Sequence, residues 1–243
     1  MKAMVLAAGL GTRLGPLTND RPKALVEING RTLLEIILTR LRAVGVHEVI
    51  VNVHHFADMI AEYIRARQDF GMRIEISRED ELLLDTGGGL KKAAWFFLQD
   101  GNNAPFLLHN VDVVSDIDLA QMAKFHHERQ SLATLAVQQR ASSRYLLFDD
   151  NGVLSGRRFE KEQRDEIVRS SSFLEPLAFC GIHVISPRLL TMMTEQGAFS
   201  IVEAYLRLAA EGERMFAFRA DGSYWRDLGT IASLKSAAAH LGS

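Results

Sequence analysis

Residues 6–25 read LAAGLGTRLGPLTNDRPKAL, and their types and spacing suit the handling of a phosphate. Leu6, Ala7, Ala8, Gly9 and Gly11 close an apolar run with little side chain, so the backbone can approach a flat base or a phosphate and offer its N–H groups. Thr12 and Arg13 add donors. Pro22-Lys23 puts an ammonium after a rigid residue, where it can reach an α-phosphate and its developing charge. Two other phosphate signatures are missing. Leu14 stands where a dinucleotide-binding turn has its third glycine, and no acid ends a second strand about twenty residues on, which argues against an NAD(P) oxidoreductase. No Gly-Lys-Ser/Thr of a Walker loop follows either.

A triphosphate also needs countercharge. Asp112 lies just past the apolar run Ala104 to His109, with Asn110 beside it, and Asp227 lies in YWRDLGT near the C-terminus. Mg²⁺ is commonly held by one or two carboxylates, with waters and phosphate oxygens completing its shell, so two distant aspartates are a fitting protein share. Asp116 and Asp118 read as loop and capping residues before a helix at 119–129. In Asp85-Thr86-Gly87-Gly88-Gly89 the N–H groups and the Thr86 hydroxyl could read a base edge, while the glycines let base and ribose lie on the backbone. Glu79-Asp80-Glu81 could accept from a ring N–H, which uracil and guanine both carry. His54-His55 and His126-His127 lack a third ligand at metal spacing and are expected to be solvated or capping.

On these residues the chain resembles the sugar-1-phosphate nucleotidyltransferases. Their signature L-A-A/G-G-x-G-T-R-L-x-P-L-T-x-x-x-P-K-x-L is matched at every fixed position by residues 6–25. The resemblance implies that Arg13 contacts the triphosphate, that Lys23 contacts the reacting phosphate, and that Asp112 and the Asp227 of W-x-D-x-G-T hold Mg²⁺. It further implies base contacts at Asp85, Thr86 and Gly87 and substrate contacts at Asn110, Gly181 and Glu203, with Gly181 against the sugar ring and Glu203 on its hydroxyls. Two positions depart from the pattern. Val111 stands where a glycine often precedes the first aspartate. Phe159-Glu160-Lys161-Glu162 replaces a Glu-Lys-Pro, leaving Arg157, Arg158 and Lys161 as candidates for the sugar phosphate. The short chain and its Asp-Thr-Gly-Gly-Gly are most similar to the N-acetylmuramate-1-phosphate uridylyltransferases, with heptose- and mannose-1-phosphate guanylyltransferases next. The implied reaction is Mg²⁺-dependent transfer of a nucleoside monophosphate from NTP, UTP foremost, to a sugar 1-phosphate with release of pyrophosphate. A non-catalytic nucleotide-sugar sensor on the same fold is the alternative, against which the intact Arg13, Lys23, Asp112 and Asp227 argue.

The elements that must carry these residues alternate. Apolar runs at 2–8, 47–53, 72–76 and 104–109 read as strands, and helical spacing appears at 32–44, 57–67 and 88–97. That rhythm predicts βαβ units and a Rossmann-like, doubly wound α/β sheet, with ligands outside the carboxyl ends of its strands. Beyond residue 130, strands are predicted at 132–138, 145–148, 153–155 and 178–185, a charged, exposed loop at 157–172, and helices at 201–211 and 231–241. One domain over 1–243 is expected, with a mixed sheet and no C-terminal β-helix, a nucleotide half at 1–130 and a sugar-phosphate half at 131–243. A net charge of −2 offers no field for nucleic acid or an acidic membrane, and no apolar run is long enough to span one. The single cysteine, Cys180, excludes an internal disulfide and fits a reducing cytoplasm. A monomer or small homo-oligomer is expected.

Overall fold

Strand β1 (Lys2–Leu6) turns Ala3 and Val5 to one face of a sheet and Met4 to the other, and each face is covered by its own apolar core. The computed structural model describes residues 1–99, 101 and 103–241; Gly242 and Ser243, the end of the expected unit, lie outside them. The further strands are β2 (Glu27–Ile28), β3 (Arg31–Thr32), β4 (Glu48–Val53), β5 (Arg73–Arg78), β6 (Phe106–Asn110), β7 (Val113–Ser115) and β8 (Ala133–Gln138). They continue with β9 (Arg144–Phe148), β10 (Leu154–Phe159), β11 (Arg164–Ile167), β12 (Glu175–Ile185), β13 (Met215–Arg219) and β14 (Trp225–Asp227). The helices are α1 (Leu33–Ala43), α2 (Ala57–Ala66), α3 (Asp85–Lys92), α4 (Ala94–Leu98), α5 (Leu119–Arg129), α6 (Arg188–Met192), α7 (Ile201–Ala210) and α8 (Ile231–Leu241).

The sheet is mixed. Its path runs β11-β10-β9-β12-β6-β1-β4-β5, with β8 on β12 and β13 on β8. β6, β1, β4 and β5 are parallel, whereas β12 runs antiparallel to β6 and joins the two halves of the chain in one sheet. From β1 the chain moves outward through β4 to β5, then crosses back to place β6 on the other side of β1. The order therefore reverses between β1 and β6, and a crevice opens outside their carboxyl ends, as in other open α/β sheets. Leu33, Leu34, Ile37, Leu38 and Leu41 of α1 bury one face together with α2, α5 and α8; α3, α4 and α7 cover the other. Among the described residues no helix is long and apolar enough to cross a membrane.

Three expectations need correction. The segment 157–172 is a loop only beyond Ile167: β10 and β11 form an edge hairpin in which Arg157 faces Glu166 and Arg158 faces Asp165, each pair joined by an ion pair. Charge on an edge strand suits solvent and discourages pairing with other chains, so the composition mimics a loop. The helix expected at 88–97 begins at Asp85 and breaks at Ala93 into α3 and α4. His126 is 3% exposed, not solvated, because its ring bridges the Thr134 and Ser186 hydroxyls at 3.0 Å each.

Candidate functional site

The turn after β1 is shaped by Gly11. It has φ +67°, and a Cβ there would lie 3.1 Å from both Lys23 Cβ and Thr18 Cγ2. The left-handed conformation and the close approach both call for glycine. Thr18 Oγ1 donates to the Gly11 carbonyl at 3.0 Å, which folds the loop back so that Thr12–Leu14 forms a short 3-10 turn. Pro22 then caps a second such turn, Lys23–Leu25, which carries Lys23 into the protein at 7% exposure.

Asp112 is fixed from both sides. The Val111 N–H donates to the Leu6 carbonyl at 3.0 Å, and the Leu228 N–H donates to the Asp112 carbonyl at 2.8 Å. Val111 is 4% exposed and is not among the residues with positive φ, so nothing at this position demands the usual glycine. The Asp112 carboxylate forms an ion pair with the Lys23 ammonium, close and largely out of water. β14 pairs with β7 so that Asp227 stands opposite Val113, one residue from Asp112. Asp227 Oδ1 accepts from the Gly229 N–H at 2.7 Å, and a Cβ on Gly229 would lie 2.5 Å from Arg13 Nη2 and 2.6 Å from Asp227 Oδ1. Gly229 thus leaves the room that the Arg13 guanidinium and the Asp227 carboxylate take up on either side of it.

Arg13, Lys23, Asp112 and Gly229 border one cavity of about 530 Å³ at the β1/β6 crevice, and Asp227 itself is not part of its lining. Leu6, Ala8, Gly9, Gly11, Thr12, Arg13 and Lys23 line one side, Asp85 and Thr86 another, and Asn110, Asp112 and Gly229 the end. Guanidinium, ammonium and carboxylates in one crevice can take a polyphosphate together with a hard cation. Asp112, in the turn before β7, and Asp227, in β14 opposite Val113, supply only oxygen donors, which fits Mg²⁺. Among the described residues no group of three or more His, Cys, Asp or Glu side chains encloses a metal, so phosphate and water would complete the shell.

Several expected contacts lie elsewhere. The Ala7 N–H is not free for a ligand, since it donates to Asn52 Oδ1 at 2.8 Å. Gly87 does not line the cavity. A Cβ on it would sit 2.3 Å from the Phe199 ring, and one on Gly88 2.4 Å from the Gly197 carbonyl oxygen, so these glycines let α3 pack against the chain leading into α7. The Gly87 and Gly88 N–H groups donate to the Phe199 carbonyl, the Thr86 N–H donates to Asp85, and the Thr86 hydroxyl accepts from the Ile201 N–H. Glu79 is 1% exposed and turned inward. Gly181, at φ +72°, lies under Asn110, whose Nδ2 would be 2.8 Å from a Cβ there; it positions that side chain and does not line the cavity. Glu203 sits exposed in the first turn of α7 and away from the lining. Arg157 and Arg158 are spent on the edge hairpin. Asp118 caps α5 by accepting from the Gln121 N–H. Cys180 is buried, which pushes its thiol up to about 12 and leaves it inert near neutral pH. Sequence reasoning missed Asn52, which lines the cavity, and Gly229; the latter lies in the matched W-x-D-x-G-T, and its fixed glycine was the available signal.

The sequence profile of the nucleotidyl transferase family matches residues 2–243. An N-acetylmuramate alpha-1-phosphate uridylyltransferase of Caulobacter vibrioides is 39% identical over 222 residues, which cover 86% of this chain and 85% of that protein. A UTP–glucose-1-phosphate uridylyltransferase of Synechocystis is 30% identical, over 95% of this chain and 61% of its own. The fold is similar to that of a UDP-glucose pyrophosphorylase solved with UDP-glucose, with TM-score 0.78 and 17% identity over 99% of this chain and 98% of the other.

Proposed function

The chain belongs to the nucleotidyl transferase family, and from that premise we propose that it is a Mg²⁺-dependent uridylyltransferase joining UMP from UTP to N-acetylmuramate 1-phosphate or a similar hexose 1-phosphate. The observation that carries the reading is that Arg13, Lys23 and Asp112 line one cavity at the switch point, while Asp227, from a third stretch of chain, stands behind its Gly229 wall and opposite the neighbour of Asp112. The choice of UTP and of the sugar is supported by the Caulobacter relative.

In this reading a phosphate oxygen of the acceptor attacks the α-phosphorus of UTP in line. The new O–P bond forms as the bond to the bridging oxygen breaks, and pyrophosphate leaves with that oxygen and its electron pair. The acceptor is already an anionic nucleophile, so no covalent enzyme intermediate is needed. The chain's share is positioning and charge stabilisation. Gly9, Gly11 and Thr12 hold the polyphosphate by backbone approach, Arg13 meets its charge, and Lys23 faces the reacting phosphate. Asp112 and Asp227 would hold Mg²⁺, which when bound offsets polyphosphate charge and orients its oxygens. Residues 1–130 serve the nucleotide, while 131–243 serve the sugar phosphate and return Asp227 to the metal.

The test is pyrophosphate release from UTP, GTP and the other NTPs, each paired with N-acetylmuramate, glucose and mannose 1-phosphates. Preferred turnover of UTP with N-acetylmuramate 1-phosphate is expected. Preferred GTP with mannose 1-phosphate would reassign the substrates, and binding without turnover of any pair would make the protein a sensor.

A further inference from the structure

Asn52 and Glu79 stand outside the proposed chemistry, yet both are buried polar side chains beside its cavity. Asn52 is 2% exposed at the carboxyl end of β4, in register with Leu6 of β1. Its Oδ1 accepts from the Ala7 N–H at 2.8 Å, and its Nδ2 donates to Glu79 Oε1 at 2.7 Å. The other Glu79 oxygen, Oε2, accepts from the Leu84 N–H at 2.8 Å. Gly89 leaves the room for this pair: a Cβ there would lie 2.7 Å from both Asn52 Nδ2 and Glu79 Oε1. Among the described residues no cation pairs with Glu79.

The polarity of this chain of bonds admits one arrangement. A backbone N–H can only donate and a carboxylate can only accept, so the Asn52 amide is locked with its oxygen toward Ala7 and its nitrogen toward Glu79. The two ends of the chain, Ala7 and Leu84, each adjoin a wall of the same cavity, one carrying Ala8 and Gly9 and the other Leu83 and Asp85. We propose that Asn52 and Glu79 are positioning residues, a buried relay that sets the gap between the glycine turn and the 83–86 segment and so tunes the fit of the nucleotide. This rests on the reading of the cavity as the nucleotide site. The acceptor sugar plays no part in it, so the relay acts on the affinity for NTP.

The relay can be broken and rebuilt without changing its shape. Asn52→Asp sets two carboxylates face to face. Glu79→Gln leaves an N–H₂ group facing either the Asn52 Nδ2 or the Leu84 N–H. The double variant Asn52→Asp/Glu79→Gln reverses only the middle bond: the carboxylate now on β4 accepts from both the Ala7 N–H and the new amide, whose oxygen accepts from the Leu84 N–H. In pyrophosphate-release assays each single variant is expected to raise KM for UTP about 10- to 100-fold, the scale of one spoiled buried hydrogen bond. KM for the sugar 1-phosphate stays level and kcat changes little, and the double variant regains most of the loss. A direct contact between Asn52 and the nucleotide predicts no such recovery, so a double variant as poor as the worse single overturns the proposal, as do single variants with unchanged KM for UTP. Amide hydrogen exchange at Ala7 and Leu84, slow in the wild type and in the double variant but fast in the singles, reads the relay without substrate. If the wild type turned over no substrate pair, the functional reading would fall while these exchange rates still judged the relay, and equal exchange in all four chains would refute it.

Discussion

Lys23 holds its charge almost out of water, and Asp112 is the counter-charge that makes this tolerable. In the proposed reaction the ammonium is a preorganised donor, so Lys23→Ala is expected to lower kcat/KM by about 10²–10³, the cost of removing one such group. Pyrophosphate release measures the loss, and a melting curve beside it shows whether the unpaired Asp112 has also weakened the fold. Asp227→Asn keeps the size of the side chain and its acceptor for the Gly229 N–H while removing a negative charge from the proposed metal pair. The Mg²⁺ concentration for half-maximal rate should rise about tenfold or more, and an unchanged Mg²⁺ titration would remove Asp227 from that role. Arg13, Lys23, Asp112 and Asp227 were legible because each sits in a short motif or directly after an apolar run. Asn52 and Glu79 were not. One is a lone polar residue inside a strand, the other belongs to an acidic run that reads as an acceptor for a base, and the β4–β5 pairing brings them together.

Among the elements, α3 misleads most. Its glycines read as a surface for a base, yet Gly87 and Gly88 are closed over by Phe199 and Gly197. Gly87→Ala must push the Phe199 ring and main chain aside, and overpacking of this kind costs about 1–3 kcal/mol. The melting temperature should therefore drop by several degrees; an unchanged value would mean that the junction of α3 and α7 is looser than its distances state. The β10–β11 hairpin was hidden for a related reason. Its pattern is charged on both faces, and strand periodicity is readable only where one face is buried. The strands β1, β4 and β6 were legible because both their faces are buried and apolar.

Over the whole molecule, three histidines lie buried in or against the central sheet. Burial holds His109 and His126 at about 4 and His183 at about 3, well below the ordinary value, with the Arg40 charge adding to the effect at His109. The folded state keeps these rings neutral while the unfolded chain protonates them below about pH 6.5. Their contribution to stability is complete above that pH and is lost as pH falls toward 4. The expected slope between those limits is roughly 1.4 kcal/mol per pH unit for each histidine. Urea titrations at pH 7.5, 6 and 5 would show it as a falling midpoint, and a flat midpoint would contradict the neutral assignment. The doubly wound sheet was legible at this scale because the βαβ rhythm is local. The union of halves through β12 was not, since antiparallel pairing of β12 with β6 leaves no trace in periodicity.

The pairing of β14 with β7 has a consequence in time. As the chain leaves the ribosome, the glycine turn, Lys23 and Asp112 are all made long before Asp227. In the proposed reading, a chain that has not yet reached β14 lacks the second acid of the metal pair, so the site is completed only when β14 pairs with β7.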